Sequence, residues 1–164
     1  MKHILLLSFV LLSLSTTSFA QKKKTDAKQP AAAAPYADQP HAKNYLIKTS
    51  RFAGHCHRAV FNTKKYTGDL GQMVRYERYA KKMYEAGQYR EAIFFSRRAR
   101  QFGNASLAAN GAIPTSDGKF TADEEALSSG TPTDEDLEKT ITAAGEPMLT
   151  DESLMAGNLG LEIK

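Results

Sequence analysis

Apolar side chains recur at helical intervals through the middle of the chain, between Arg75 and Phe102. Tyr76, Tyr79, Ala80 and Met83 fall at i, i+3, i+4 and i+7, which is one face of a helix. Gly87 interrupts the pattern as a glycine does at a helix end. Tyr89, Ala92, Ile93, Ser96 and Ala99 then repeat the spacing on a second helix. Glu77 and Lys81 sit four apart, which predicts a supportive charge pair on an outer face of the first helix. Two apolar-faced helices joined by a short turn predict an antiparallel hairpin.

An earlier stretch echoes this one. Ala53–Phe61 reads AGHCHRAVF and Ala86–Phe94 reads AGQYREAIF, an offset of 33 residues. Alanine, glycine, alanine and phenylalanine coincide, and Val60 matches Ile93. Upstream, Leu46, Ile47 and Ser50 take the places of Tyr79, Ala80 and Met83. A degenerate hairpin is therefore expected over about 41–66, turning near Gly54. YTGDLG, 66–71, is rich in turn formers and reads as the connection between the hairpins. Pro114 breaks the helix that a third copy would need.

The segment AKKMYEAGQYREAIFFSRRA resembles a tetratricopeptide repeat, a helix–turn–helix unit of about 34 residues. The family's small residue in the first helix falls on Ala80, its turn glycine on Gly87 and the following aromatic on Tyr89. Ala92 and Ala99 match the later small positions. Tyr76 and Tyr79 stand where the family prefers Trp and Leu, and Met83 where it prefers Tyr. Ser96 replaces an aromatic and Asn104 the closing proline. The resemblance covers about 71–104, with the degenerate copy before it. It implies a helical module that offers a groove to another protein or a peptide. The expected fold is all-α: two antiparallel helical hairpins over 41–105, then short acidic helices over 106–164.

The polar pattern of that second half has its own regularity. TADEEAL, TDEDL and TDESL begin at Thr121, Thr133 and Thr150. A threonine followed by carboxylates suits a helix start, because the side chain accepts a backbone N–H and acids favour the positive helix end. Thr121 and Glu124 have the spacing of a capping box. The acids lack EF-hand spacing, so calcium is not implied. Helices this short are marginal alone. They either dock on the hairpins or stay disordered until a partner arrives. Leu137, Ile141, Leu154 and Leu159 are the side chains expected to dock.

Charge sharpens this division. Residues 21–102 carry 18 Lys+Arg and 6 Asp+Glu, whereas 103–164 carry 3 and 12. The two blocks either meet within one molecule or each seeks a partner, and self-association is one way to meet.

The N-terminus reads as an export signal. Lys2 precedes an apolar run, Ile4–Leu12, and Ser18 and Ala20 form a small-residue cleavage site. The run is short for a membrane span. Gln21 follows the site, not the cysteine of a lipid anchor. Residues 21–40 are basic, then rich in alanine and proline, and read as a flexible tether. The expected location is periplasmic or extracellular.

Candidate chemistry is sparse. Phe94 points away from the apolar face of its helix, with Arg90, Arg97 and Arg98 around it. An aromatic ringed by arginines can hold an acidic peptide, an anionic glycan or a lipid headgroup. These four residues are the candidate ligand site. No nucleic-acid motif accompanies them. Cys56 lies between His55 and His57, which suggests a metal at first sight. The two histidines are two apart and leave a helix on nearly opposite sides, whereas chelating pairs sit at i and i+4. Cys56 reads as a buried apolar side chain. No metal, cofactor or catalytic constellation is implied. Two functions compete: a protein- or peptide-binding scaffold, and an envelope-associated protein that binds an anionic surface through the basic helical face.

Overall fold

The computed structural model describes residues 37–127 and 130–163. The export signal and the tether up to residue 36 lie outside the described residues. Among the described residues the structure is helical throughout, as the pattern predicts, and contains no strand. Three long helices lead: α1 Gln39–Thr63, α2 Asp69–Glu85 and α3 Tyr89–Ala109. Three short ones follow: α4 Ala122–Ala126, α5 Asp134–Ala143 and α6 Asp151–Leu154.

Helices α2 and α3 form the expected hairpin. Gly87 turns it at φ 76°, in the left-handed region that favours glycine. The degenerate partner is different. Residues 39–63 run as one continuous helix, and Gly54 lies in its middle. The reason is the apolar stripe, which does not break at Gly54. Ala42, Tyr45, Leu46, Thr49, Phe52, Ala53, Cys56 and Val60 are all buried along one face. Gly54 is absent from the positive-φ residues, and no Asx or proline signal accompanies it. The helix also starts two residues inside the expected tether. Asp38 caps it by accepting from the His41 backbone N–H at 3.0 Å, and Pro40 suits the first turn.

Helices α1 and α3 run parallel in a fixed register. Ser96 Oγ donates to Thr49 Oγ1 at 2.8 Å, Cys56 Sγ to the Gly103 carbonyl at 3.5 Å, and Thr63 Oγ1 bonds Asn110 Oδ1. All three pairs are 47 residues apart, so the spatial register is not the 33 of the sequence echo. The pairs recur every seven residues, as expected of two helices packed along a shared seam.

The acidic half docks on this three-helix frame. Leu137, Ile141, Leu154 and Leu161 are buried in the same apolar cluster as Phe52, Met73, Tyr76 and Leu107. Leu159 packs against it, partly buried. All three threonine caps form. Thr121, Thr133 and Thr150 accept from the backbone N–H groups of Glu124, Asp136 and Ser153, and Thr121 with Glu124 completes the capping box. Docking supplies the burial that such short helices need.

One contact ties the C-terminal segment to the start of α2. Asp151, 1% exposed, accepts three backbone N–H bonds: Thr67 at 2.9 Å, Gly68 at 2.9 Å and Gly71 at 2.8 Å. The N-cap of α2 is Gly68, which has no side chain to cap with. Asp151 supplies the missing acceptor from a distant part of the chain. Gly71 permits the close approach, since a Cβ there would lie 2.2 Å from the Leu149 carbonyl oxygen. Gly71→Ala is expected to push the 146–151 segment off α2 and cost about 2–4 kcal/mol, read as a shift in urea midpoint.

Candidate functional site

The four candidate residues lie together on α3, but the chain itself covers them. Phe94 is 6% exposed rather than outward, because α3 is packed by α1 and α2 and by the docked acidic half. The Arg90 guanidinium lies 5.3 Å from the Phe94 ring, and its Nη2 lies beside Gly130. Arg97 stacks on Phe120 at 4.4 Å, pairs with Glu125 at 2.9 Å and donates to the Glu124 carbonyl at 3.0 Å. Arg98 stacks on Phe102 at 4.4 Å and pairs with Asp134 at 2.9 Å. The acidic peptide that such a surface suits is, for Arg97 and Arg98, the chain's own α4 and α5.

Arg100, one turn on, escaped the sequence reading and is the most deeply placed cation. It is fully buried. Its Nη1 donates to the carbonyls of Asp117 and Lys119, both at 3.3 Å, and to Glu124 Oε2 at 3.2 Å. Its Nη2 lies 3.0 Å from Glu124 Oε1, off hydrogen-bond alignment. Its guanidinium faces the Tyr45 ring at 4.0 Å. Lys48 adds a second cation to Glu124 at 3.1 Å. Burial pushes the Glu124 carboxyl up, but the bonds from Arg100, Thr121 and Lys48 outweigh it and hold the acid below its ordinary range. The capping glutamate of α4 is thus also the counter-ion of the core.

Glu77 departs further from expectation. The i, i+4 pattern places it outside with Lys81, yet it is 1% exposed. Both carboxyl oxygens are buried without a hydrogen-bond partner. Burial raises its pKa from 4.5 to about 8, against smaller opposing effects from Ser96 and Arg100. The neighbouring hydroxyls explain why a neutral acid fits. Ser96 donates to Thr49, and Thr49 donates to the Tyr45 carbonyl at 3.1 Å. The Ser96 proton is already used, so a Glu77 facing Ser96 gains most as a donor. Sequence spacing could not reveal this, because burial of that face depends on α1 and α3 meeting α2.

Among the described residues, three clefts stand out. One, about 400 Å³, runs along α2 and is lined by Arg75, Arg78, Lys81, Lys82 and Glu85, with Glu146, Pro147, Leu149 and Gly160 opposite. Arg75 forms its floor, 2% exposed, and pairs with Glu138 at 2.7 Å. Arg78 donates to the Leu159 carbonyl at 3.0 Å, and Lys82 pairs with Glu146. A second cleft, about 170 Å³, lies between Tyr45, Lys48 and α4. A third, about 340 Å³, lies between Arg58 on α1 and Glu162.

The AGHCHRAVF motif is divided among three directions. Cys56 is fully buried, and burial pushes its thiol up to about 12. His55 Nε2 approaches the Ile113 carbonyl at 3.3 Å, and His57 Nε2 the Leu154 carbonyl at 3.0 Å. Among the described residues no cluster of His, Cys, Asp and Glu is placed to hold a metal ion, and no helix is long and apolar enough to cross a membrane. Comparison of the chain with protein-family models, curated proteins and solved structures gives no match in any of the three.

Proposed function

We propose that the protein is an exported binding module, a small helical scaffold that takes an acidic segment of a partner protein in the α2 cleft. The observation that carries the reading is the lining of that cleft: four cations and Glu85 on one helix, facing Glu146, Pro147 and Leu149, a net positive lining with an apolar edge. About two turns of α2 present them, so an extended or helical segment can follow the row. The same chemistry holds the molecule together elsewhere, where Arg97 and Arg98 grip the acidic α4 and α5. The tetratricopeptide resemblance of the α2–α3 hairpin agrees with a groove for another chain. Export follows from the reading of residues 1–20 as a signal. The candidate site moves from α3 to α2, because the α2 cations line an open cleft, whereas α4 and α5 pack over Arg97 and Arg98.

The test is capture from the exported fraction with the wild type and with Arg78→Glu/Lys81→Glu. The wild type is expected to retain one partner in roughly stoichiometric amount. The double variant is expected to retain it at least about tenfold less, given desolvated charge contacts. Equal recovery by both proteins would remove the α2 cleft from the reading.

A further inference from the structure

The end of α1 carries a surface that neither the core nor the α2 cleft uses. Phe61 and Tyr66 stand exposed there, at 47% and 38%. Arg58, Lys64 and Lys65 are exposed beside them. Cys56 marks the inward side of α1, and at about 100° per residue Arg58 and Phe61 lie roughly opposite it. Lys64 Nζ sits 3.8 Å from the centre of the Phe61 ring, and the His57 ring stacks on the same phenylalanine with centroids 6.4 Å apart. Lys64 itself ends the helix at φ 57°, a left-handed position where glycine is the unstrained choice. A cation is kept there at a conformational cost.

Three acids near the tip are hydrogen-bonded within the chain. Asp69 accepts from the Thr67 hydroxyl at 2.7 Å, Asp151 is spent on the three N–H groups of the α2 start, and Glu162 accepts from Asn158 at 2.8 Å. The patch thus sets three exposed cations beside two exposed aromatic rings. Phe61, Lys64, Lys65 and Tyr66 lie outside the clefts described above, and Arg58 borders the third. Rings that sit at headgroup level, with lysines reaching the phosphates, are the pattern of an interfacial membrane contact.

We propose that this tip, formed by Arg58, Phe61, Lys64, Lys65 and Tyr66, seats the protein on an anionic phospholipid surface. It is separate from the α2 cleft, which stays open to a protein partner. The surface-binding role moves from α3, where the sequence suggested it, to the end of α1.

The full chain is tested on vesicles of phosphatidylglycerol mixed with phosphatidylcholine, and on phosphatidylcholine alone. Residues 4–12 are themselves apolar, so the readout has to be local to the tip. The chain has no tryptophan. Phe61→Trp therefore gives a single reporter, whose emission should shift to the blue on anionic vesicles only. Lys64→Gln/Lys65→Gln should weaken vesicle binding about tenfold. Lys43→Glu makes the same change in net charge about 30 Å away along α1, and should weaken it less than about twofold. Sedimentation with vesicles without an emission shift, or equal loss from both charge changes, would overturn the proposal. So would a shift produced by soluble heparin or an acidic peptide in place of vesicles, since that points to a polyanionic partner instead.

Discussion

Asp151→Ala is expected to lower stability by about 3–5 kcal/mol. The carboxylate is buried and closes three backbone N–H groups at the start of α2. Each donor left buried and unpaired costs on the order of 1–3 kcal/mol, and some of that returns through local relaxation. The interaction also suits the positive end of a helix. Asp151→Asn keeps one acceptor and loses the charge, so it should fall between the two. Urea unfolding of the three proteins measures the order. A loss under about 1 kcal/mol for the alanine variant would mean that water replaces the carboxylate and that the clamp is not structural.

The same clamp positions Glu146, Pro147 and Leu149, one wall of the α2 cleft. Asp151→Ala should therefore weaken partner capture even where the protein stays folded. A variant with normal capture and reduced stability would separate the clamp from the cleft.

Stability is expected to fall as pH rises from about 4.5 to about 8, and Glu77 is the cause. Its pKa stands at about 8 in the folded protein against 4.5 when exposed. Across that window the unfolded chain has lost the proton and the folded one keeps it. The unfolded state thus binds fewer protons, and unfolding becomes easier as pH increases. The contribution is complete below 4.5 and gone above about 8. The ceiling on the loss is roughly 3–5 kcal/mol over the window, at about 1.4 kcal/mol per unit. Glu124 and Glu138 act in the other direction. Bonds from Arg100 and Arg75 hold them below their ordinary range, so their contribution is present above 4.5 and lost as pH falls. The two trends meet in a maximum around pH 5.

Glu77→Gln isolates the effect. Glutamine is neutral at every pH and nearly the same shape. The variant should have a flat urea midpoint between pH 5 and 8, and should be more stable than wild type at pH 8. A wild-type profile that is already flat across this range would show that the carboxylate finds solvent or a partner on ionising.

The sequence alone determined the features that depend on neighbours along the chain. The turn at Gly87 follows from a left-handed glycine between two apolar stripes. The three threonine caps follow from a hydroxyl meeting an N–H three residues on. The inward faces of α2 and α3 follow from 3.6-residue periodicity, and so does the buried Cys56 between outward-leaving histidines. Leu137, Ile141 and Leu154 were legible as docking side chains because each follows a threonine-capped acidic turn, whereas buried Leu161 follows no such signal.

What lies across the chain was not legible. The 33-residue echo suggested a turn at Gly54, yet packing of α1 beside α3 at a register of 47 keeps that helix whole. Glu77 and Phe94 sit at positions whose local pattern is outward, and only the meeting of three helices and the acidic half buries them. Arg100 looked like one arginine among several until Glu124 and the 117–119 carbonyls closed on it. Asp151 read as an ordinary first-turn acid of α6, and its role at α2 is set by a contact 80 residues away. A helix period reports which side chains share a face. Which faces meet, and hence which charges are buried, is decided by tertiary packing, because desolvation depends on everything that surrounds a group.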